Sequence, residues 1–238
     1  MIFTSEKFYT LFASSYCDYS LNKIVYISAV NKFIQEEALS LKSMVDVGSG
    51  DGKRGRLIGD ILGIEKITLI DNSEGMIALA NNIEKADVVF EDISSLRFEN
   101  KNKYDLVSLL WNVLGHISSE GRIITLMNLA KLVNDGKSIF IDVNNRYNIS
   151  HYGFPAVVKN ILKDIFLSNK TNGDFNLKVI TVNGEIETTV HIFNPFEIEK
   201  LIKLAGLKIE KRKIINYRSG KICKTIFGGQ LVYKLSKK

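Results

Sequence analysis

Two prolines and two cysteines among 238 residues exclude several architectures at once. Cys17 and Cys223 stand far apart and form no CxxC pair. That argues against a disulfide framework or a structural zinc site, and a reducing cytoplasm is the expected location. No run of about 18 apolar residues occurs, so no membrane-spanning helix is expected. The opening MIFTSEKFYT lacks a basic stretch leading into an apolar one, and no secretory leader is expected. No internal repeat, low-complexity tract or proline-rich linker interrupts the chain, which points to one domain.

What is present is ordinary in amount and uneven in place. Apolar residues make up 45% and charged residues 24%, as in a soluble globular protein. The net charge of +6 gathers at one end: from Glu197 onward there are 12 Lys and Arg against 3 Glu. A basic tail can meet nucleic acid or another anion. No aromatic-studded RNA motif accompanies it, so the plainer reading, lysine as an ordinary surface residue, is favoured.

Residues 4–39 carry apolar positions at helical spacing (Phe8, Leu11, Phe12, then Ile24, Ile27, Val30, Phe33, Ile34), which predicts two helices forming a cap over residues 1–40. Short apolar runs then alternate with helical stretches. Strands are expected at 43–47, 66–71, 86–91, 104–110 and 137–143, and helices at 53–63, 74–84 and 119–133, the last ended by an Asn134-Asp135-Gly136 turn. This alternation predicts an α/β fold, a doubly wound and mostly parallel sheet in a core over 41–143. Residues 144–193 read as an irregular insertion or lid, with a helix near 155–167 and a hairpin turning at Asn183-Gly184. The closing segment, 194–238, holds a helix over 194–206 and two strands. Asn194 caps that helix, Pro195 opens it, Glu197 completes a capping box and Gly206 ends it.

The stretch MVDVGSGDGKRG (44–55) holds two glycine patterns. Gly50-x-Gly52-x-x-Gly55 fits a dinucleotide fingerprint, but there the first glycine should follow the buried strand directly. The strand ends at Val47, so counting starts at Gly48, and the third position falls on Lys53. The pattern Asp46-x-Gly48-x-Gly50-x-Gly52 keeps the register. Its glycines let the backbone turn sharply and approach a ligand closely. Asp71 ends the second strand, where a carboxylate can accept ribose hydroxyls, and Ser73, Met76, Ile77 and Ala80 follow it. Asp92 and Ile93 come after the third strand, and YDLVSLLWNVLGHI spans the fourth.

Four such motifs in order, each at a strand's carboxyl tip, resemble the class I S-adenosylmethionine-dependent methyltransferases, and small-molecule members in particular. The likeness covers about 40–143 and is weaker in FNPFEIEKLIKLAGLKI. It implies a Rossmann-like seven-stranded sheet whose last strand is antiparallel, with N-terminal helices and a hairpin insertion. It also implies S-adenosylmethionine as cofactor and S-adenosylhomocysteine as product. Cofactor contacts would come from Asp46, Gly48, Ser49, Gly50 and Gly52 of the first motif, and from Asp71, Asn72 and Met76 of the second. Asp92 would accept from the adenine amino group and Ile93 would offer a backbone N–H. Leu110, Trp111 and Asn112 would lie where donor and acceptor meet. No Asn/Asp-Pro-Pro-aromatic tetrad follows the fourth strand, which argues against amide- and adenine-methylating relatives, and neither cysteine is placed for a covalent cytosine mechanism.

Methyl transfer asks mainly for positioning and exclusion of water, so catalytic groups leave weak marks. His116 sits past the fourth strand, either as a proton acceptor or as a structural histidine. NNRYNISHYG brings Arg146, Tyr147, His151 and Tyr152 past the fifth strand, where His151 and Tyr152 join His116 as catalytic candidates. Tyr9 and Tyr16 either cover the cofactor or pack the first helix. The expected function is methylation of O, N or C on a small molecule. Alternatives are an RNA or other macromolecular acceptor recruited by the basic end, and a non-catalytic cofactor-binding protein. No metal or membrane partner is expected, and the oligomeric state is left open.

Overall fold

The computed structural model describes residues 2–98, 102–167, 169–181 and 184–238. After a short strand β1 (Ile2–Phe3) come helices α1 (Ser5–Leu21) and α2 (Ile24–Glu37). Strand β2 (Ser43–Val47), α3 (Lys53–Leu62), β3 (Lys66–Asp71), α4 (Glu74–Ala80), β4 (Asp87–Phe90) and β5 (Tyr104–Leu109) follow. Then come α5 (Ser119–Leu132), β6 (Val133–Val143), α6 (Ile149–Tyr152), α7 (Phe154–Phe166), β7 (Asp174–Thr181) and β8 (Gly184–His191). The chain closes with α8 (Pro195–Leu204), β9 (Leu207–Ile215) and β10 (Gln230–Lys237).

Seven strands form one sheet in the order β4-β3-β2-β5-β6-β10-β9. The five strands from β4 to β6 are parallel, and β10 runs antiparallel to both β6 and β9. The sequence order reverses between β2 and β5, which makes their carboxyl tips the place for a ligand crevice. Side chains alternate between faces at period two. Val45 and Val47 pack with Leu126, Leu129, Ile198 and Ile202 of α5 and α8. Met44, Leu106 and Phe140 pack with Val30, Phe33, Ile34 and Ile58 of α2 and α3. Among the described residues no helix is long and apolar enough to cross a membrane.

A second sheet, β1-β8-β7, lies over the first, and the strand at residues 2–3 was not foreseen from the sequence. Ile2 and Phe3 pair with Glu187 and Thr188, so the N-terminus is stitched to the insertion. Phe8 and Phe12 of α1 bury themselves with Ile186 to give this lid its own small core.

Several local expectations are corrected. The helix after β3 ends at Ala80, not at residue 84, with Asn81 as its C-cap. No turn separates α5 from β6: the strand begins at Val133, and Gly136 at φ 73° lies in a stretch where the β5 pairing shifts register. Thr181 pairs with Gly184, which places Gly184 in β8, while Asn183 lies outside the described residues. Asn194 does cap α8, accepting from Glu197 N–H at 2.8 Å. The Glu197 side chain turns elsewhere, toward His191 and Arg146, so no reciprocal capping box forms.

Candidate active site

A cavity of about 530 Å³ opens at the strand tips, between the large sheet and the lid. One end is lined by Gly48, Gly50, Asp71, Asn72, Met76, Asp92, Ile93, Leu110 and Trp111, with Tyr16 above. The glycine loop needs its glycines. Gly50 has φ 57°, and a Cβ there would lie 2.8 Å from Tyr16 Oη. Gly48 has φ 65°, and a Cβ would lie 2.5 Å from Val113 Cγ1. Bare backbone is therefore what both the ligand side and the packing side require.

Asp71 clamps this loop to the sheet. Its Oδ2 accepts from Gly50 N–H at 2.9 Å and its Oδ1 from Ser73 N–H at 2.9 Å. Burial raises its carboxyl above the ordinary range, against the lowering effect of those backbone donors. Each oxygen keeps a lone pair for a hydroxyl in the cavity. Asp92 Oδ1 accepts from Ser94 N–H and Oγ–H at 2.8 and 2.7 Å, which fixes the turn that exposes Asp92 to the cavity. Met76 is buried in the wall beside it.

Other predicted contacts stand off the cavity wall, each for a local reason. Asp46 shares its sheet face with Met44, so its carboxylate points beneath α3 and accepts from Ser108 Oγ–H at 2.6 Å. Burial pushes its carboxyl up to about 6, with Ser108 and Arg54 pulling the other way. Ser49 is buried behind the loop, its backbone bonded to Ile70. Gly52 faces Leu69, with a built Cβ 2.6 Å from Leu69 Cδ1, so it serves the packing of α3 on β3, as Gly55 does. Asn112 is buried and ties the fourth-strand loop to β6, accepting from Asn144 N–H at 2.8 Å. His151 and Tyr152 pack toward Tyr217, away from the cavity lining. Of the NNRYNISHYG candidates, Arg146 and Tyr147 join a buried ion network instead.

The fit to a nucleoside with an amino-acid tail is direct. Carboxylates stand at the two strand tips where hydroxyls and an exocyclic amine would lie, with bare glycine backbone between them. The methyltransferase-domain family model matches residues 44–136, which contain all four motifs.

That stretch, 93 of the 238 residues, is similar to a methyltransferase domain.

The fold agrees. An S-adenosylmethionine-dependent methyltransferase from Clostridium acetobutylicum superposes with a TM-score of 0.64 at 17% identity, over 90% of this chain and 92% of that one. A possible histamine N-methyltransferase from Thermotoga maritima gives 0.65 at 15% identity, over 98% and 99%. DhpI, solved as its SAH complex, gives 0.67 at 14% identity, over 98% and 95%. No curated protein sequence matches the chain.

Beyond that end, the cavity continues under the lid. His116 lines it, and Tyr9 Oη lies 3.0 Å from His116 Nε2. Burial draws the His116 imidazole down to about 4, so it is neutral at ordinary pH. Its Nδ1 is buried without a hydrogen-bond partner among the described residues. Tyr9 is held above its usual value, first by burial and then by Tyr16 and Tyr19, so its hydroxyl stays protonated.

The far end holds residues that sequence reasoning missed. His191, buried on β8, has Nδ1 2.6 Å from Asp174 Oδ1 and Nε2 2.8 Å from Glu197 Oε1. Carboxylate oxygens thus meet both ring nitrogens. Glu197 Oε2 meets Arg146 Nη1 at 2.6 Å, and Arg146 grips Asp164 through Nε and Nη2, both at 2.9 Å. Burial raises the Glu197 carboxyl, and the bonds from His191 and Arg146 outweigh it, leaving it below its ordinary value. The observed hairpin register sets Asp174 opposite His191. A turn centred on Asn183-Gly184 would have paired Asp174 elsewhere, which is why the contact was not legible.

Proposed function

We propose that this chain is an S-adenosylmethionine-dependent methyltransferase acting on a small molecule bound under the lid, at an O, N or C atom beside His116. One observation carries the reading: β1, α1 and the β7–β8 hairpin roof the strand tips, so the acceptor end is a chamber and not a surface groove. The basic tail supports the same view. Lys211 and Lys234 are paired with Glu37, Arg212 with Glu199, Lys208 with Glu210 and Lys237 with Asp135. Much of that charge lies on β9, the outer strand of the sheet, where lysines deter edge-to-edge pairing.

Bound S-adenosylmethionine supplies a methyl already activated on sulfonium, so the chain's task is positioning and exclusion of water. Gly48 and Gly50 would admit the amino-acid tail, Asp71 the ribose and Asp92 the adenine. Tyr16 and Trp111 would screen the reacting centre. Neutral His116, joined to Tyr9 through Nε2, would stand at the acceptor end and help to orient the acceptor there.

Calorimetric titration with S-adenosylmethionine, S-adenosylhomocysteine and NADH tests the base of this reading. Micromolar binding of the first two and none of the third is expected. Asp71→Ala should weaken both by about tenfold or more while the circular dichroism spectrum is unchanged. Unaltered affinity in that variant would remove the site assignment. A steep fall in polyuridylate affinity between about 50 and 300 mM salt would favour the RNA alternative.

A further inference from the structure

The far end of the cavity carries charges of both signs that methyl transfer leaves unused. Arg122, one turn into α5, is 7% exposed and lines the cavity. Its Nε donates to Ile117 O at 3.1 Å, but Nη2 stops 3.9 Å from Asp174 Oδ1. The other pairs of that network close at 2.6 to 2.9 Å. Among the described residues the terminal nitrogens of Arg122 make no hydrogen bond, although a buried guanidinium has five donors to satisfy. Beside them Ser118 caps the 14-residue helix α5, its Oγ accepting from Gly121 N–H at 3.1 Å, which leaves the N–H groups of Ser119 and Glu120 without an acceptor among the described residues. Asp174 shows the complementary feature. Its Oδ1 is held by His191, its Oδ2 accepts no hydrogen bond among the described residues, and the side chain is 32% exposed.

We propose that this end binds an amino-acid-like zwitterion, its carboxylate on Arg122 and the first N–H groups of α5, its ammonium on Asp174 Oδ2. The inference rests on the methyltransferase reading of the same cavity. Charge balance selects the ligand. Arg122 and Asp174 stand side by side, with Nη2 3.9 Å from Oδ1, so the site offers one charge of each sign. A lone anion would set its charge beside Asp174, and a lone cation beside Arg122. A zwitterion meets both and adds no net charge to the site. One loose ion pair is then replaced by two charge-assisted contacts. Phe193, 5.5 Å behind the guanidinium, keeps it facing the cavity.

The full-length protein, saturated with S-adenosylhomocysteine, is titrated calorimetrically with L-phenylalanine, its methyl ester and hydrocinnamate. The smaller set of L-alanine, its methyl ester and propanoate follows. One of the amino acids should bind about tenfold or more tightly than both its ester and its acid. Arg122→Gln and the near-isosteric Asp174→Asn should each erase that preference, and Arg122→Lys should restore part of it. S-adenosylhomocysteine affinity should stay within about twofold in all three, which shows that they fold. Equal binding of a singly charged probe, no binding of either amino acid, or variants that keep the preference would overturn the proposal. If S-adenosylhomocysteine itself fails to bind the wild type, the methyltransferase reading falls first and this one with it.

Discussion

Asp46 shows how a single residue can carry a burden that its neighbours do not remove. Its ordinary value is 3.8, and burial lifts it to about 6 in the fold. The folded state therefore holds the proton more tightly than the unfolded chain does. The stabilisation this brings is full below 3.8 and is lost as pH rises through about 6. Above that, the ionised group sits in the core at a penalty of about 2–3 kcal/mol, softened by Ser108 and Arg54. Asp46→Asn keeps an oxygen for Ser108 and never ionises. It should stabilise the protein by about 1–3 kcal/mol at neutral pH and change little near pH 4. Urea denaturation at the two pH values checks this; an equal effect at both would mean that shape, not charge, governs the site. His116 runs the other way. Burial holds it near 4, so whatever stability its neutral form brings is full above 6.5 and is lost as pH falls through about 4. His116→Gln should lower kcat by about tenfold or more if the Tyr9–His116 pair orients the acceptor, and leave cofactor affinity unchanged. Equal kcat would assign it to packing with Tyr9.

Among the elements, α1 does most to turn an open crevice into a chamber, since it carries both Tyr9 and Tyr16. It lies on α4 at Gly75, where an added Cβ would come 2.7 Å from Thr10 O and 2.9 Å from Thr10 Cα. Those are backbone atoms, so α1 itself must move. Gly75→Ala should destabilise by about 1–3 kcal/mol, weaken cofactor binding and speed proteolysis within residues 5–21. Unchanged cofactor affinity would detach α1 from the site. How such elements were legible follows from the range of their signals. The strands from Ser43 to Val143 announce themselves by apolar runs, and Asp71, Asp92 and the glycines by their places at strand tips. The pairing of Ile2 and Phe3 with β8 joins residues about 185 apart, and no local pattern marks it. His191, Arg122 and Asp174 were hidden for a related reason. Each lies on a different element, and only the observed hairpin register brings them together. Glu197 was legible as a capping residue, but its carboxylate found stronger partners in His191 and Arg146.

At the scale of the whole molecule, two cores flank the large sheet, a third fills the lid, and Arg146 joins lid to sheet. Its backbone N–H donates to Phe193 O at 2.8 Å, and its side chain reaches Asp164 of α7, Glu197 of α8 and Ile192 O. The side chain is only 4% exposed, so both carboxylates rely on it in a poorly solvated place. Arg146→Met keeps the bulk but strands them. A loss of about 3–5 kcal/mol is expected at neutral pH, because breaking a buried pair leaves an uncompensated charge. Burial raises Asp164 and Glu197, yet bonds led by those of Arg146 and His191 keep both below their ordinary 3.8 and 4.5. Their contribution is therefore present above those values and is lost as pH falls through the lower folded ones. The variant's deficit should accordingly shrink as pH falls below the ordinary values and through the lower folded ones, where both acids become neutral. Adding Asp164→Asn and Glu197→Gln to Arg146→Met should recover much of the loss at neutral pH, since no stranded charge then remains. Thermal unfolding of the single and triple variants across that pH range measures both effects. A deficit that does not change with pH, together with no recovery in the triple variant, would show that Arg146 holds the lid by packing and not by charge.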